Sequence, residues 1–218
     1  MNKVLVVPSG TEVAQEIVRS LSVVKNVELF GANGIECFSE IPKANNTIGI
    51  PFVEEGNFID ELQKVINDKG ITHIFPAHDS ASLKLTQFSD KLGVKVISSS
   101  YDTNKICRSK SLMYEALKHS VRVPTVFTLP SEICSYPVFV KPNIGQGSVG
   151  AKVIHNEQQL DDVTSDDIIC EYLPGAEYTV DCVSDANNKL LYARARQRNA
   201  MRNGIATETE LVSNNTKF

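Results

Sequence analysis

Apolar residues follow two rhythms along this chain, and the change falls near residue 100. In the first hundred residues, short β-branched runs alternate with stretches of helical periodicity. Residues 3–7 predict a strand. Val13, Ile17, Val18, Leu21 and Val24 then form the stripe of a helix that Ser9 or Thr11 can cap. Residues 27–30 read as the next strand, ending at Gly31. The stretch 32–56 is turn-rich, with Pro42, Asn45, Asn46 and Pro51 around a strand at 47–50. Phe58, Ile59, Leu62, Val65 and Ile66 mark a helix closed by Gly70. Residues 73–75 are a strand, 80–91 a helix and 94–97 another strand. Repeated β-α-β units with short links predict a parallel sheet covered by helices on both faces.

Past Ser98, Ser99 and Ser100 the second rhythm begins. Ile106, Leu112, Met113, Ala116 and Leu117 predict one helix over 102–119, and Pro124 and Pro130 bracket a short extended piece. Strands then dominate, at 138–141, 151–154, 168–171, 178–183 and 189–193, mostly with hairpin-sized links. Only 157–162 looks helical among them. The fold class is therefore α/β, a parallel-sheet region over 1–100 giving way to an α+β region over 101–218.

Composition narrows the function more than the fold. A hydrophobic fraction of 42% in 218 residues supports a buried core, and 22% charged residues exclude a disordered chain. Formal net charge is −4 and no basic run occurs, so nothing favours nucleic acid as a partner. No apolar stretch approaches the ~20 residues that cross a bilayer. The apolar start is too short for a signal peptide, so a soluble, cytoplasmic protein is expected. Five cysteines without a CxxC pair read as buried thiols, and four histidines show no metal-ligand spacing.

The chemistry concentrates in two stretches. Lys141 and Pro142 lead into Gly145-Gln146-Gly147-Ser148-Val149-Gly150, a G-x-G-x-x-G sequence. In a dinucleotide fold that fingerprint opens a helix, but here residues 151–154 form a strand, so the glycines sit in a hairpin. Such a loop can fold over phosphates with its N–H groups aimed at them, and a lysine beside it suits a triphosphate. An ordinary glycine-rich hairpin fits the loop alone equally well. A protein kinase would need H-R-D and D-F-G, and neither occurs. The second stretch is Glu171-Tyr172-Leu173-Pro174-Gly175-Ala176-Glu177, a strand end, a turn and a new strand. Its backbone can read an adenine edge, and Glu177 can bond a ribose diol. Residues 76–80 close a parallel strand at its carboxyl end, where α/β sheets place ligands. There His78 either faces a substrate or is a loop residue ahead of a helix that Asp79 or Ser80 caps.

Taken together, these stretches resemble the ATP-grasp superfamily, in its carbamoyl-phosphate-synthase large-chain-like and carboxylate–amine ligase branches. The resemblance implies a pre-ATP-grasp (Rossmann-like) domain over 1–100 and an ATP-grasp region over 101–218. Within that region, 101–170 would carry the lid and 171–218 would begin the larger subdomain. It makes Lys105 the first-helix cation at the α-phosphate and Lys141 the strand-end cation at the phosphates and the adenine side. Gly145, Gly147 and Ser148 would form a mobile lid. Glu171, Tyr172 and Leu173 would be the adenine hinge, with side chain and backbone both engaged, and Glu177 the ribose carboxylate. Arg196 and Arg198, just past the strand 189–193, would be catalytic cations at the acyl-phosphate end, with Arg202 and Gly204 on the same path.

The implied partners are ATP and a small-molecule carboxylate, which becomes an acyl phosphate that an amine or other nucleophile attacks. Magnesium accompanies ATP in the complete family, held by a Glu and a Glu-x-Asn on late strands that the resemblance places after the last residues of this chain. Glu208 and Glu210 do not match that position. The expectation is an ATP-grasp region incomplete at its C-terminus, inactive alone, and self-associating or completed by a missing part. The alternative is a non-catalytic nucleotide-binding or regulatory module. A third reading makes 1–100 the NAD-binding domain of an oxidoreductase, but the first turn reads Pro8-Ser9-Gly10-Thr11-Glu12-Val13 where its G-x-G-x-x-G should stand.

Overall fold

A computed structural model describes residues 1–34, 47–185, 187–202 and 204–212. The turn at Pro42, Asn45 and Asn46, together with Cys37, lies outside the described residues. The chain divides into two compact units, Met1–Arg108 and Ser109–Phe218. Among the described residues no helix is long and apolar enough to cross a membrane.

The first unit is built on a parallel sheet. Its strands are β1 (Asn2–Val7), β2 (Val27–Gly34), β3 (Thr47–Ile50), β4 (His73–Pro76) and β5 (Lys95–Val96), in the order β3-β2-β1-β4-β5. All four pairings are parallel. β1 is central, and its alternating side chains serve two cores, as a period of two requires. Leu5 and Val7 join a cluster with Phe58 and Leu62 of α2 (Phe58–Lys69) and Leu85 of α3 (Asp79–Gln87). Val4 and Val6 face Ala14 and Val18 of α1 (Glu12–Leu21). Thr11 caps α1, its Oγ1 accepting the Ala14 N–H at 3.1 Å.

Two expected helices are each broken in two. The one over 80–91 splits at Phe88 into α3 and α4 (Ser89–Leu92). The one over 102–119 splits at Ser109 into α5 (Tyr101–Arg108) and α6 (Lys110–Leu117). Ser109 is the N-cap of α6, its Oγ accepting the Leu112 N–H, and a capping serine inside a helical pattern starts a new helix. α5 consequently belongs to the first unit.

The second unit contains two antiparallel sheets. One has the order β6-β9-β7-β8, from β6 (Val126–Phe127), β7 (Val138–Pro142), β8 (Lys152–Ile154) and β9 (Asp167–Glu171). Val138, Val140 and Ile154 form its core, with Phe127, Leu160 and Ile169 packed around them. The helix expected over 157–162 is a single 3-10 turn, Glu157–Leu160. The other sheet has the order β10-β11-β12, from β10 (Tyr178–Ser184), β11 (Leu190–Arg202) and β12 (Ile205–Leu211). β11 is 13 residues long, far beyond the strand expected at 189–193. It is paired along both edges, so ladder hydrogen bonds hold it where apolar burial does not.

Candidate functional site

A cavity of about 640 Å³ lies in the second unit. β7 supplies Phe139 and Lys141, β9 supplies Cys170 and Glu171, and the glycine-rich loop supplies Gly145, Gln146 and Ser148. Tyr172, Leu173 and Glu177 line it from the segment leading into β10, Lys110 from α6 and Met201 from β11. Seven of the residues singled out from sequence therefore share one cavity: Lys141, Gly145, Ser148, Glu171, Tyr172, Leu173 and Glu177.

Lys141 is the best-anchored cation there. Its ammonium donates to Tyr114 Oη at 2.8 Å and lies 5.4 Å from the Tyr114 ring centroid and 5.5 Å from that of Phe139. Two aromatic faces and one hydroxyl thus fix a charge at the end of β7. Burial pushes the neighbouring Cys170 thiol up, against the opposing pull of Lys141, and the Glu171 charge pushes it the same way. Cys170 is a protonated wall of the cavity at neutral pH, not a nucleophile.

The glycine-rich loop spans the antiparallel pair β7–β8, as expected. Its base is tied to α6: Asn143 Oδ1 accepts the Ser111 N–H at 2.9 Å, and Asn143 O accepts the Lys110 N–H at 3.1 Å. The Lys110 ammonium donates to the carbonyls of Asn143 and Gly145, both at 3.3 Å. Lys110 is the functional candidate that sequence reasoning missed. Lys105 lies on α5 in the first unit, whereas Lys110 stands in the first turn of α6 and reaches the cavity. The available signal was Ser109, whose capping role puts Lys110 at a helix start.

Three other residues stand differently from expectation. The Glu171 carboxylate is occupied, accepting from Arg122 at 2.7 Å and from the Thr125 N–H at 3.3 Å. Its side chain therefore ties the hinge to the approach of β6. Arg196 and Arg198 lie within β11, not past a strand end, and neither lines the cavity. Arg196 holds Asp181 at 2.8 Å, and Arg198 holds Glu177 at 2.5 Å. The alternation of Ala193, Ala195 and Gln197 with Arg194, Arg196 and Arg198 has no apolar face to mark it as a strand.

A second cavity of about 330 Å³ opens in the first unit at the carboxyl ends of β1 to β4, lined by Gly10, Thr11, Asn33, Phe52 and His78 among others. His78 is the N-cap of α3, its Nδ1 accepting the Ser80 N–H at 3.2 Å, and it also lines this cavity. The cap expected at Asp79 or Ser80 is therefore His78 itself, one residue earlier, because its ring nitrogen reaches the Ser80 N–H.

A glycine-rich hairpin, a fixed lysine and the segment 171–177 thus surround one cavity. Residues 107–216 match the ATP-grasp domain, and the chain belongs to that family. It is 28% identical over 135 residues to a 3-methyl-D-ornithine–L-lysine ligase of Methanosarcina mazei, covering 61% of this chain and 35% of that protein. A carbamoyl phosphate synthase large chain of Agathobacter rectalis is 25% identical over 153 residues, covering 61% of this chain and 14% of its own length. The chain thus spans about a third or less of these curated relatives. In fold it is similar to the biotin carboxylase domain of Hydrogenobacter thermophilus 2-oxoglutarate carboxylase, solved with MgADP, ADP and bicarbonate. That likeness has a TM-score of 0.74 at 15% identity, over 93% of this chain and 51% of that one.

Proposed function

We propose that this chain carries the ATP-binding part of a ligase that activates a small carboxylic acid as an acyl phosphate. The carboxylate oxygen attacks the γ-phosphorus and ADP leaves. An amine nitrogen, or another nucleophile, then attacks the acyl carbon and phosphate departs. The observation that carries the reading is the convergence of Lys141, the glycine-rich loop, the hinge segment and Glu177 on one cavity. Phosphoryl transfer asks mainly for positioning and charge neutralisation, which such a constellation provides.

In this reading the adenine lies against Leu173 and the backbone of the hinge, Glu177 takes the ribose hydroxyls, and Lys141 and Lys110 face the phosphates. Gly145 and Ser148 offer N–H groups from above. Arg196 and Arg198 act through the carboxylates they hold. Magnesium, if bound with the nucleotide, would neutralise phosphate charge and would call for oxygen ligands such as carboxylates. Among the described residues no group of three or more His, Cys, Asp or Glu could hold a metal ion.

Titration calorimetry of the 218-residue chain with ATP tests the assignment. ATP should bind, and Lys141→Ala should weaken it while leaving the melting temperature unchanged. Equal binding by the variant would remove Lys141 from the site.

A further inference from the structure

The ribose end of the cavity and the glycine-rich loop are joined by one side chain. Arg198 lies on β11, where its N–H donates to the Glu177 carbonyl at 2.8 Å, just beyond the Tyr178–Gln197 pair. From there its guanidinium divides. One nitrogen donates to Glu177 Oε1 at 2.5 Å and the other to the Gly204 carbonyl. The Arg198 side chain is only 17% exposed, whereas that of Glu177 is 50% exposed and lines the cavity. Arg198 Nε is buried with no partner among the described residues. Leaving a buried donor unpaired is costly, so the two terminal contacts fix where this side chain lies.

Gly204 is in turn the seat of the loop. Its φ is +74°, and a Cβ there would stand 2.5 Å from Gly147 Cα and 3.1 Å from the Ser148 nitrogen. The loop backbone therefore rests directly on the Gly204 backbone, with no room for a side chain between them. Gly147 and Ser148 themselves have φ of 65° and 58°. A serine in that region is uncommon and persists where its surroundings hold it.

We infer that Arg198 is a positioning residue that couples the ribose-facing carboxylate of Glu177 to the seat of the glycine-rich loop, making sugar recognition and closure over the phosphates one linked event. Ribose hydroxyls that bond Glu177 bear on the guanidinium, the guanidinium bears on Gly204, and Gly204 bears on Gly147. The planar, rigid fork of arginine is what allows one side chain to span both contacts. This inference rests on the reading of the cavity as an ATP site.

The test compares ATP with 2′,3′-dideoxy-ATP on the unaltered 218-residue chain and on Arg198→Met, Arg198→Lys, Glu177→Gln and the Glu177→Gln/Arg198→Met double variant. Amide exchange over residues 145–150 is followed in parallel. The unaltered chain should prefer ATP by about tenfold, the effect of one hydrogen bond to a charged group. Both Arg198 variants should lose most of that preference and most of the ATP-induced protection of the loop. The double variant should be no worse than the worse single one, because both changes cut the same link. A merely structural arginine would lower stability but leave the ATP to dideoxy-ATP ratio alone.

Gly204→Ala covers the case in which the Arg198 variants do not fold. It keeps Glu177 and Arg198 but lifts the loop off its seat, and should reduce loop protection and the sugar preference together. A preserved ratio in folded Arg198 variants, additive effects in the double variant, or a Gly204→Ala chain that loses loop protection alone would each overturn the coupling. Failure of ATP to bind the unaltered chain would overturn the nucleotide reading itself, and the coupling with it.

Discussion

Two central strands of this molecule are held by opposite means. β1 is six residues long, and Leu5, Val6 and Val7 are fully buried, feeding cores on both faces of the parallel sheet. β11 is 13 residues long and contains no buried residue among those described; Leu191 is 61% exposed. Its position comes from two antiparallel ladders and from the pairs Arg196–Asp181 and Arg198–Glu177. The difference separates stability from chemistry. A strand buried on both faces gives its side chains to the cores, whereas a strand held by its backbone and its charges keeps polar side chains outside them.

The comparison is sharpest at Leu5. Leu5→Ala should cost about 2–5 kcal/mol, because a fully enclosed side chain leaves a cavity that its neighbours cannot fill. Chemical denaturation monitored by circular dichroism would read this as a lower midpoint. A loss below about 1 kcal/mol would mean that the parallel sheet is far looser than its packing implies.

Lys141→Ala is the next largest effect, and it should appear in binding rather than in folding. Removing one charged hydrogen-bonding group from a phosphate site should weaken ATP by roughly ten- to a hundredfold. Tyr114→Phe keeps the ring beneath the ammonium but removes the hydroxyl at 2.8 Å, so its effect should be smaller and in the same direction. Calorimetry separates the two variants. Equal losses would make the hydroxyl, not the charge, the feature that matters.

The same contrast explains what was legible in the sequence. The strands at 3–7 and 138–141 announced themselves through apolar runs, and β7 brought Lys141 with it. The glycine-rich loop and the hinge segment were legible as motifs, and the structure gathers their residues on one cavity. β11 was cut short at residue 193 because Arg194, Arg196 and Arg198 carry no apolar signal, although they alternate with strand periodicity. Lys110 was passed over because Ile106, Leu112 and Met113 continue one helical rhythm across Ser109, where the chain starts a new helix. Pairing partners, as with Glu171 and Arg122 or Glu177 and Arg198, depend on contacts 49 and 21 residues apart and leave no local trace.

Cys170 offers a smaller, pH-dependent test. Its folded thiol titrates above the ordinary value of 9.0, chiefly because it is buried. Below pH 9.0 both folded and unfolded chains keep the proton, so the thiol's full contribution is present. As pH rises past 9.0 the unfolded chain releases the proton while the folded one retains it. Stability therefore falls, by at most about 1.4 kcal/mol per pH unit, until the folded thiol also titrates. Cys170→Ala should flatten this alkaline slope in unfolding midpoints measured from pH 8 upward. An unchanged slope would assign it to other groups.

The smallest expected effect tests β11 directly. Leu191→Thr replaces a mostly exposed apolar side chain with a residue that favours strands, so stability should shift by no more than about 0.5 kcal/mol. Arg196→Met removes a cross-strand ion pair whose partner Asp181 is half-exposed, and should cost about 0–1 kcal/mol. Neither change touches the two ladders that fix the strand. If Leu191→Thr instead destabilised the chain as much as Leu5→Ala, the exposed face of β11 would be packed against something in solution. The contrast between a strand held by its core and one held by its backbone would then fail.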